Sequence, residues 1–180
     1  TNIKGVLVDD AGNVLETVQQ QTNEKQEANW KNNVSAILKT LQQKAGSTVL
    51  PVGLSAPGLA GKDNTCIVLM PGRLAGLENF VWEDHLNTPA WVLNDAHAAL
   101  MAEASFGAGK GYRNIIMLTL GTGVGGGVVI NGELHQGLLS RAGHFGHVML
   151  NADSDARDVT NMPASLEDAI GDCTIQQRSF

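Results

Sequence analysis

Residues 120–127 read Leu-Gly-Thr-Gly-Val-Gly-Gly-Gly and lie between two apolar runs, NIIMLTL (114–120) and GVVI (127–130). Glycine lets backbone N–H groups turn toward an anion with no Cβ in the way. Thr122 adds a hydroxyl. The stretch is not a Walker loop, because no Gly-Lys-Ser/Thr follows, and it is not a dinucleotide fingerprint, because a strand follows where a helix is needed. Two readings remain: a strand–turn–strand that embraces phosphate, and a hairpin loop that only turns the chain. Five glycines within residues 121–127 favour the first.

Upstream, TPAWVLND (88–95) is a buried strand that ends at Asn94 and Asp95, and an alanine-rich helix follows to Phe106. A carboxylate at the carboxyl end of a strand is where α/β folds place catalytic groups. It can take the proton of an alcohol in phosphoryl transfer, and Asn94 can bond a sugar hydroxyl. Asp95 can equally be a helix cap and nothing more. Downstream stand His144 and His147, separated by Phe145-Gly146. Metal ligation, hydrogen bonding to a polar ligand and a structural role are all open to them.

The remaining chain supplies alternating strands and helices. Strands are expected at 3–9 and 14–19, joined by a turn at 10–13. A helix follows at 26–45, with Trp30, Val34, Ile37, Leu38 and Leu41 on one face. Further strands are expected at 49–54, 66–70, 90–93, 114–120, 127–130, 133–136 and 147–150, and short helices at 82–86 and 165–170. Asn131-Gly132 is a hairpin signal. The small-residue loop Ser55–Gly61 reads on its own first as a plain turn, although its small residues also allow close approach of a ligand. This pattern gives a mixed α/β sheet.

The chain has 180 residues, 43% of them hydrophobic and 17% charged, which is a globular composition. The formal net charge is -6, with no basic run, so nucleic acid and anionic membrane are poor partners. No apolar run approaches the roughly 18 residues of a membrane helix. Cys66 and Cys173 make no CxxC and read as reduced thiols, which points to the cytoplasm. The chain starts in mid-strand without methionine and reads as a fragment.

The ordered set Ser-Ala-Pro-Gly (55–58), Asn-Asp (94–95), the glycine stretch, Asn-Gly (131–132) and Ala-Gly-x-x-Gly-His (142–147) resembles the ROK family of sugar kinases and repressors. The resemblance implies an actin-like ATPase (ribonuclease H-like) fold, with mixed sheets flanked by helices. A sugar-side lobe would span residues 1–106 and the start of a second lobe 107–180. It implies transfer of the γ-phosphate of ATP, with Mg²⁺, to a hydroxyl of a hexose or N-acylhexosamine, by analogy the one on C6. Asp95 would be the proton acceptor. Gly58, Leu59, Gly72, Asn94, His144, His147 and Glu167 would line the sugar. Thr1, Gly121, Thr122, Gly123 and Gly125 would hold the nucleotide. A homodimer is also implied.

Three departures stand out. His144 replaces a glutamate, so two acceptors become one donor and one acceptor. The family's first phosphate loop would end at Thr1, so its aspartate and glycines precede the chain. No cysteine lies between His147 and Glu167, where Asp153, Asp155, Asp158 and Thr160 stand instead, so a structural zinc is not expected. The competing functions are a sugar-responsive transcriptional regulator and a catalytically silent sugar-binding homologue.

Overall fold

A computed structural model describes residues 2–23, 27–70, 72–121, 123–151, 155, 157–158 and 161–171. Thr1, Thr122, Asp153, Thr160 and Cys173 lie outside the described residues. The chain divides into two compact units, residues 1–94 and 95–180.

The first unit opens with β1 (Asn2–Val8) and β2 (Val14–Gln21), an antiparallel pair with Lys4 opposite Gln19 and Gly5 opposite Val18. Asp9 shapes the turn, its carboxylate accepting from Ala11 N at 3.0 Å and Asn13 N at 2.8 Å. Helix α1 (Glu27–Ala45) buries Trp30, Ile37, Leu38 and Leu41, as their spacing predicts. A Cβ on Gly5 would run into Ile37, so the glycine lets α1 lie close on the hairpin.

β3 (Val52–Ala56) pairs in parallel with β6 (Ala90–Asn94), so Ala56 lies opposite Asn94. The strand expected at 49–54 begins later, at Val52, because Val52 N is the first amide to bond the neighbouring segment, through Pro89 O. The short strands β4 (Leu59–Ala60) and β5 (Ile67–Leu69) form an antiparallel pair. α2 (Trp82–Leu86) ends at Asn87, which takes the left-handed conformation. Trp30, Phe80 and Trp82 meet with centroids 5.1–5.7 Å apart and fill the core together with Ile67, Leu77 and Val92. Aromatic groups of this size dominate core energetics.

The second unit begins with α3 (Asp95–Phe106), which packs on β7 (Ile115–Leu120) and β8 (Val124–Ile130). Packing therefore places α3 with the glycine hairpin, whereas the sequence reading ended the first lobe after it. β7, β8 and β9 (Glu133–Leu134) form one antiparallel sheet, turned at Asn131-Gly132 as expected. Residues 147–150 are not a strand. Phe145–His147 forms a 3-10 turn, and Met149 makes only an isolated bridge to Ser165. α4 (Leu166–Ile170) is capped by Ser165, whose Oγ accepts from Asp168 N at 3.1 Å.

Candidate active site

In the first unit, the Ser55–Gly58 loop and Asn94 are tied together. Asn94 is buried, and its Nδ2 donates to Gly58 O at 2.9 Å. Gly58 has φ +101°, and a Cβ there would lie 2.6 Å from Leu69 O, so only glycine fits. Leu59 is partly buried at the start of β4, whereas Gly72 is exposed, at φ +79°.

In the second unit, Asp95 is the first residue of α3 and is exposed. Its Oδ1 accepts from Ala96 N at 2.9 Å. This holds one oxygen of the exposed carboxylate at the head of the helix.

The glycine stretch divides. Gly125, Gly126 and Gly127 lie within β8, opposite Thr119, Leu118 and Met117. A Cβ on Gly127 would come within 2.7 Å of Leu100, and one on Gly125 within 3.1 Å of Ala96. These glycines bring α3 onto the sheet. The turn runs between Leu120 and Val124, and its described residues are Gly121 and Gly123. Only Gly121 and Gly123 of the expected nucleotide glycines belong to it. Gly121 N donates to Gly123 O at 3.0 Å, so that amide is already used. A Cβ on Gly121 would have no atom within 4 Å, so the turn is open there.

Glu167 reaches the end of this turn from α4. Its Oε2 accepts from Val124 N at 2.9 Å, and a Cβ on Gly123 would collide with its carboxylate. Glu167 is buried, and its Oε1 has no hydrogen-bond partner among the described residues. A buried acceptor without a partner costs free energy and marks a place where a ligand donor fits.

The histidines cluster. His97, on α3, is buried, with its Nε2 3.0 Å from Ala142 O. Its ring meets that of His144 edge-on, at 5.9 Å between centroids. Sequence reasoning gave His97 no role. Burial holds the His144 imidazole below its ordinary 6.5, helped by His97 and His147 and opposed by Asp95. His144 Nε2 is buried without a partner among the described residues. A neutral imidazole there can offer one donor and one acceptor.

His147 Nδ1 lies 3.0 Å from Asp158 Oδ2. The Asp158 side chain is fully buried, while that of His147 is 34% exposed. Asp158 Oδ1 accepts from Met162 N at 3.0 Å. His147, Asp158 and Glu167 each bring one ligand atom within 4.8 Å of the others. Residues 95–171 contain no cysteine, and Asp158 and Glu167 already accept protein hydrogen bonds. This set does not match a thiolate zinc centre.

The ROK family model matches residues 1–176. The glucokinase of Streptomyces coelicolor is 36% identical over 157 residues, covering 85% of this chain and 48% of that protein. The xylose repressor of Bacillus spizizenii is 35% identical over 106 residues, covering 57% of this chain and 27% of the repressor. The crystal structure of a ROK family glucokinase from Streptomyces griseus, in complex with glucose and AMPPNP, superposes with a TM-score of 0.77 at 28% identity. It is covered over 95% of this chain and 54% of that one. The chain spans about half the length of the glucokinases it matches. The fold is that of the actin-like ATPases, a mixed α/β architecture. Among the described residues no helix is long and apolar enough to cross a membrane.

Proposed function

Because the chain belongs to the ROK family, we propose that it supplies the sugar-side part and the glycine turn of an ATP-dependent sugar kinase. The acceptor is a hexose or N-acylhexosamine, and the hydroxyl phosphorylated is that on C6. One observation carries the reading: an exposed carboxylate, Asp95, held at the head of α3 directly after the buried, hydrogen-bonded Asn94.

On this reading Asp95 Oδ2 accepts the proton of the attacking hydroxyl while Oδ1 stays on Ala96 N, which keeps the carboxylate from rotating away. Gly58, Leu59, Gly72 and Asn94 are the sugar-facing groups of the first unit. His144, His147 and Glu167 are those of the second, and Glu167 Oε1 is the acceptor left for a hydroxyl. Gly121 gives the open side of the turn that a phosphate can approach, whereas Gly123 lies against the Glu167 carboxylate and Gly125 serves packing. ATP with Mg²⁺ supplies the phosphoryl group and neutralises its charge. Phosphoryl transfer needs positioning more than covalent chemistry, which suits a site of fixed acceptors.

Coupled ADP-release assays on the full-length protein, with a panel of hexoses and N-acetylhexosamines, test this. Turnover of at least one sugar is expected. Saturable sugar binding without ADP release would replace the kinase with a silent binding homologue. The repressor match supports a second reading, a sugar-responsive regulator. A basic helix-turn-helix encoded upstream of Thr1 decides for it.

A further inference from the structure

We infer that Asp158 is a positioning residue that sets the tautomer of His147, holding the proton on Nδ1 and leaving Nε2 as the accepting atom of the ring. The argument starts from the donor and acceptor inventory. Asp158 Oδ1 accepts from Met162 N at 3.0 Å, so one oxygen of the carboxylate is anchored. The loop is closed at the same place, with Asp158 N on Met162 O at 3.0 Å and Asn161 N on Asp158 O at 2.9 Å. Oδ2 is therefore fixed in position, 3.0 Å from His147 Nδ1. An ionised carboxylate can only accept, so Nδ1 carries the proton. In the neutral ring Nε2 then has a lone pair and no hydrogen.

The alternative occupant of this corner is a cation. His147, Asp158 and Glu167 lie close enough together to hold one. A metal on Nδ1 would force the opposite tautomer, with the hydrogen on Nε2. The two arrangements therefore present opposite polarity on the far side of the ring. With Asp158 on Nδ1 the Nε2 atom is an acceptor; with a metal there it is a donor. The choice of partner at Nδ1 thus selects which lone pairs and hydrogens a ligand must bring.

That the ligand is a sugar hydroxyl rests on the function proposed above; the tautomer does not. The full-length protein, labelled with ¹⁵N-histidine, gives the test. His147 is assigned by loss of its signals in His147→Gln. The wild type is expected to show the Nδ1–H tautomer, with no stoichiometric metal by elemental analysis. In Asp158→Asn the amide oxygen can stay on Met162 N, which turns the NH₂ toward Nδ1. The His147 population is then expected to move toward the Nε2–H form. With glucose as probe, KM is expected to rise about tenfold while kcat changes less than about twofold, as for loss of one ligand hydrogen bond. A wild-type Nε2–H tautomer, or a metal bound in stoichiometric amount and lost in His147→Gln, overturns the inference. So does an unchanged tautomer in a folded Asp158→Asn. Should that variant not fold, the wild-type spectrum and metal content still decide. Absence of turnover with any hexose removes the kinase reading and leaves the tautomer result to stand alone.

Discussion

Gly126→Ala is the sharpest test of how the glycine stretch divides. A Cβ at position 126 would lie 2.6 Å from Met117 O, 2.8 Å from Gly143 O and 3.0 Å from Phe145 Cδ2. Carbon and oxygen ordinarily approach to about 3.3 Å, so the two backbone oxygens must retreat by roughly 0.5–0.7 Å. Neither is the end of a flexible side chain. One lies in β7 and the other in the segment that carries His144. Overpacking of this kind costs about 1–3 kcal/mol. At about 2–4 °C per kcal/mol for a domain of this size, the thermal midpoint should fall by about 2–12 °C. Gly121→Ala is the control, because its Cβ would meet nothing within 4 Å. Its midpoint should stay within about 2 °C of wild type. Differential scanning calorimetry of the two full-length variants measures both. Equal stability would show that residues 125–127 are not packed as strand β8. A large loss in Gly121→Ala would show that the turn is not open.

Asp95→Asn should lower kcat about 10²–10⁴-fold, the range for loss of a general base, with little change in sugar affinity; full activity in steady-state assays would remove Asp95 from the chemistry. Glu167→Ala leaves the buried Val124 N–H without its acceptor and should cost about 1–3 kcal/mol, whereas Glu167→Gln keeps an acceptor and should cost less. Equal losses in chemical denaturation would show that this hydrogen bond is not what matters. His144 gives the pH prediction. Burial depresses its folded-state pKa, so below about pH 6.5 the unfolded chain binds a proton that the folded chain refuses. Its contribution is complete above the unfolded pKa and is lost as the pH falls through it, levelling off once the folded ring is protonated too. His144→Gln should flatten the fall in thermal midpoint between about pH 7 and about pH 5, and an unchanged slope would refute the assignment.

What could be read from the sequence was what periodicity and local turn chemistry encode. The face of α1, α2 and the short helix near 165–170 are local signals, and each formed close to where the sequence placed it, whereas the first strand ended one residue early because Asp9 turns the chain with its own carboxylate. The Asn94–Asp95 step was legible because a strand end followed by a helix is a local event. The glycine run was not, since glycine permits both a turn and a strand pressed against a helix. Only the partners decide, and Leu100 and Ala96 are distant in sequence from the glycines they meet. His147 misled for a similar reason. Its apolar successors suggested a strand, but the chain bonds back to residues 164–166 instead, through Leu150 N to Ala164 O and Leu166 N to Val148 O. His97 and Asp158 were invisible as partners because no spacing links them to Ala142 and His147. A buried polar side chain shows its meaning only when its acceptor is known.

The second unit shows how a helix of five residues can matter. α4 is too short to persist by its own hydrogen bonds. It is held by the Ser165 cap and by Glu167, whose Oε2 ends on Val124 N at the close of the glycine turn. The segment leading into α4 begins at Asp158, which holds His147. The carboxylate proposed to meet the sugar is therefore also the one that fixes the turn proposed to meet phosphate. A ligand donor on Glu167 Oε1 would satisfy an acceptor that has no partner among the described residues, and it would do so on the same carboxylate that holds the turn. Sugar binding should then protect the Val124 amide from hydrogen exchange more than amides in β9. Equal protection of both would mean that the two halves of the carboxylate act independently.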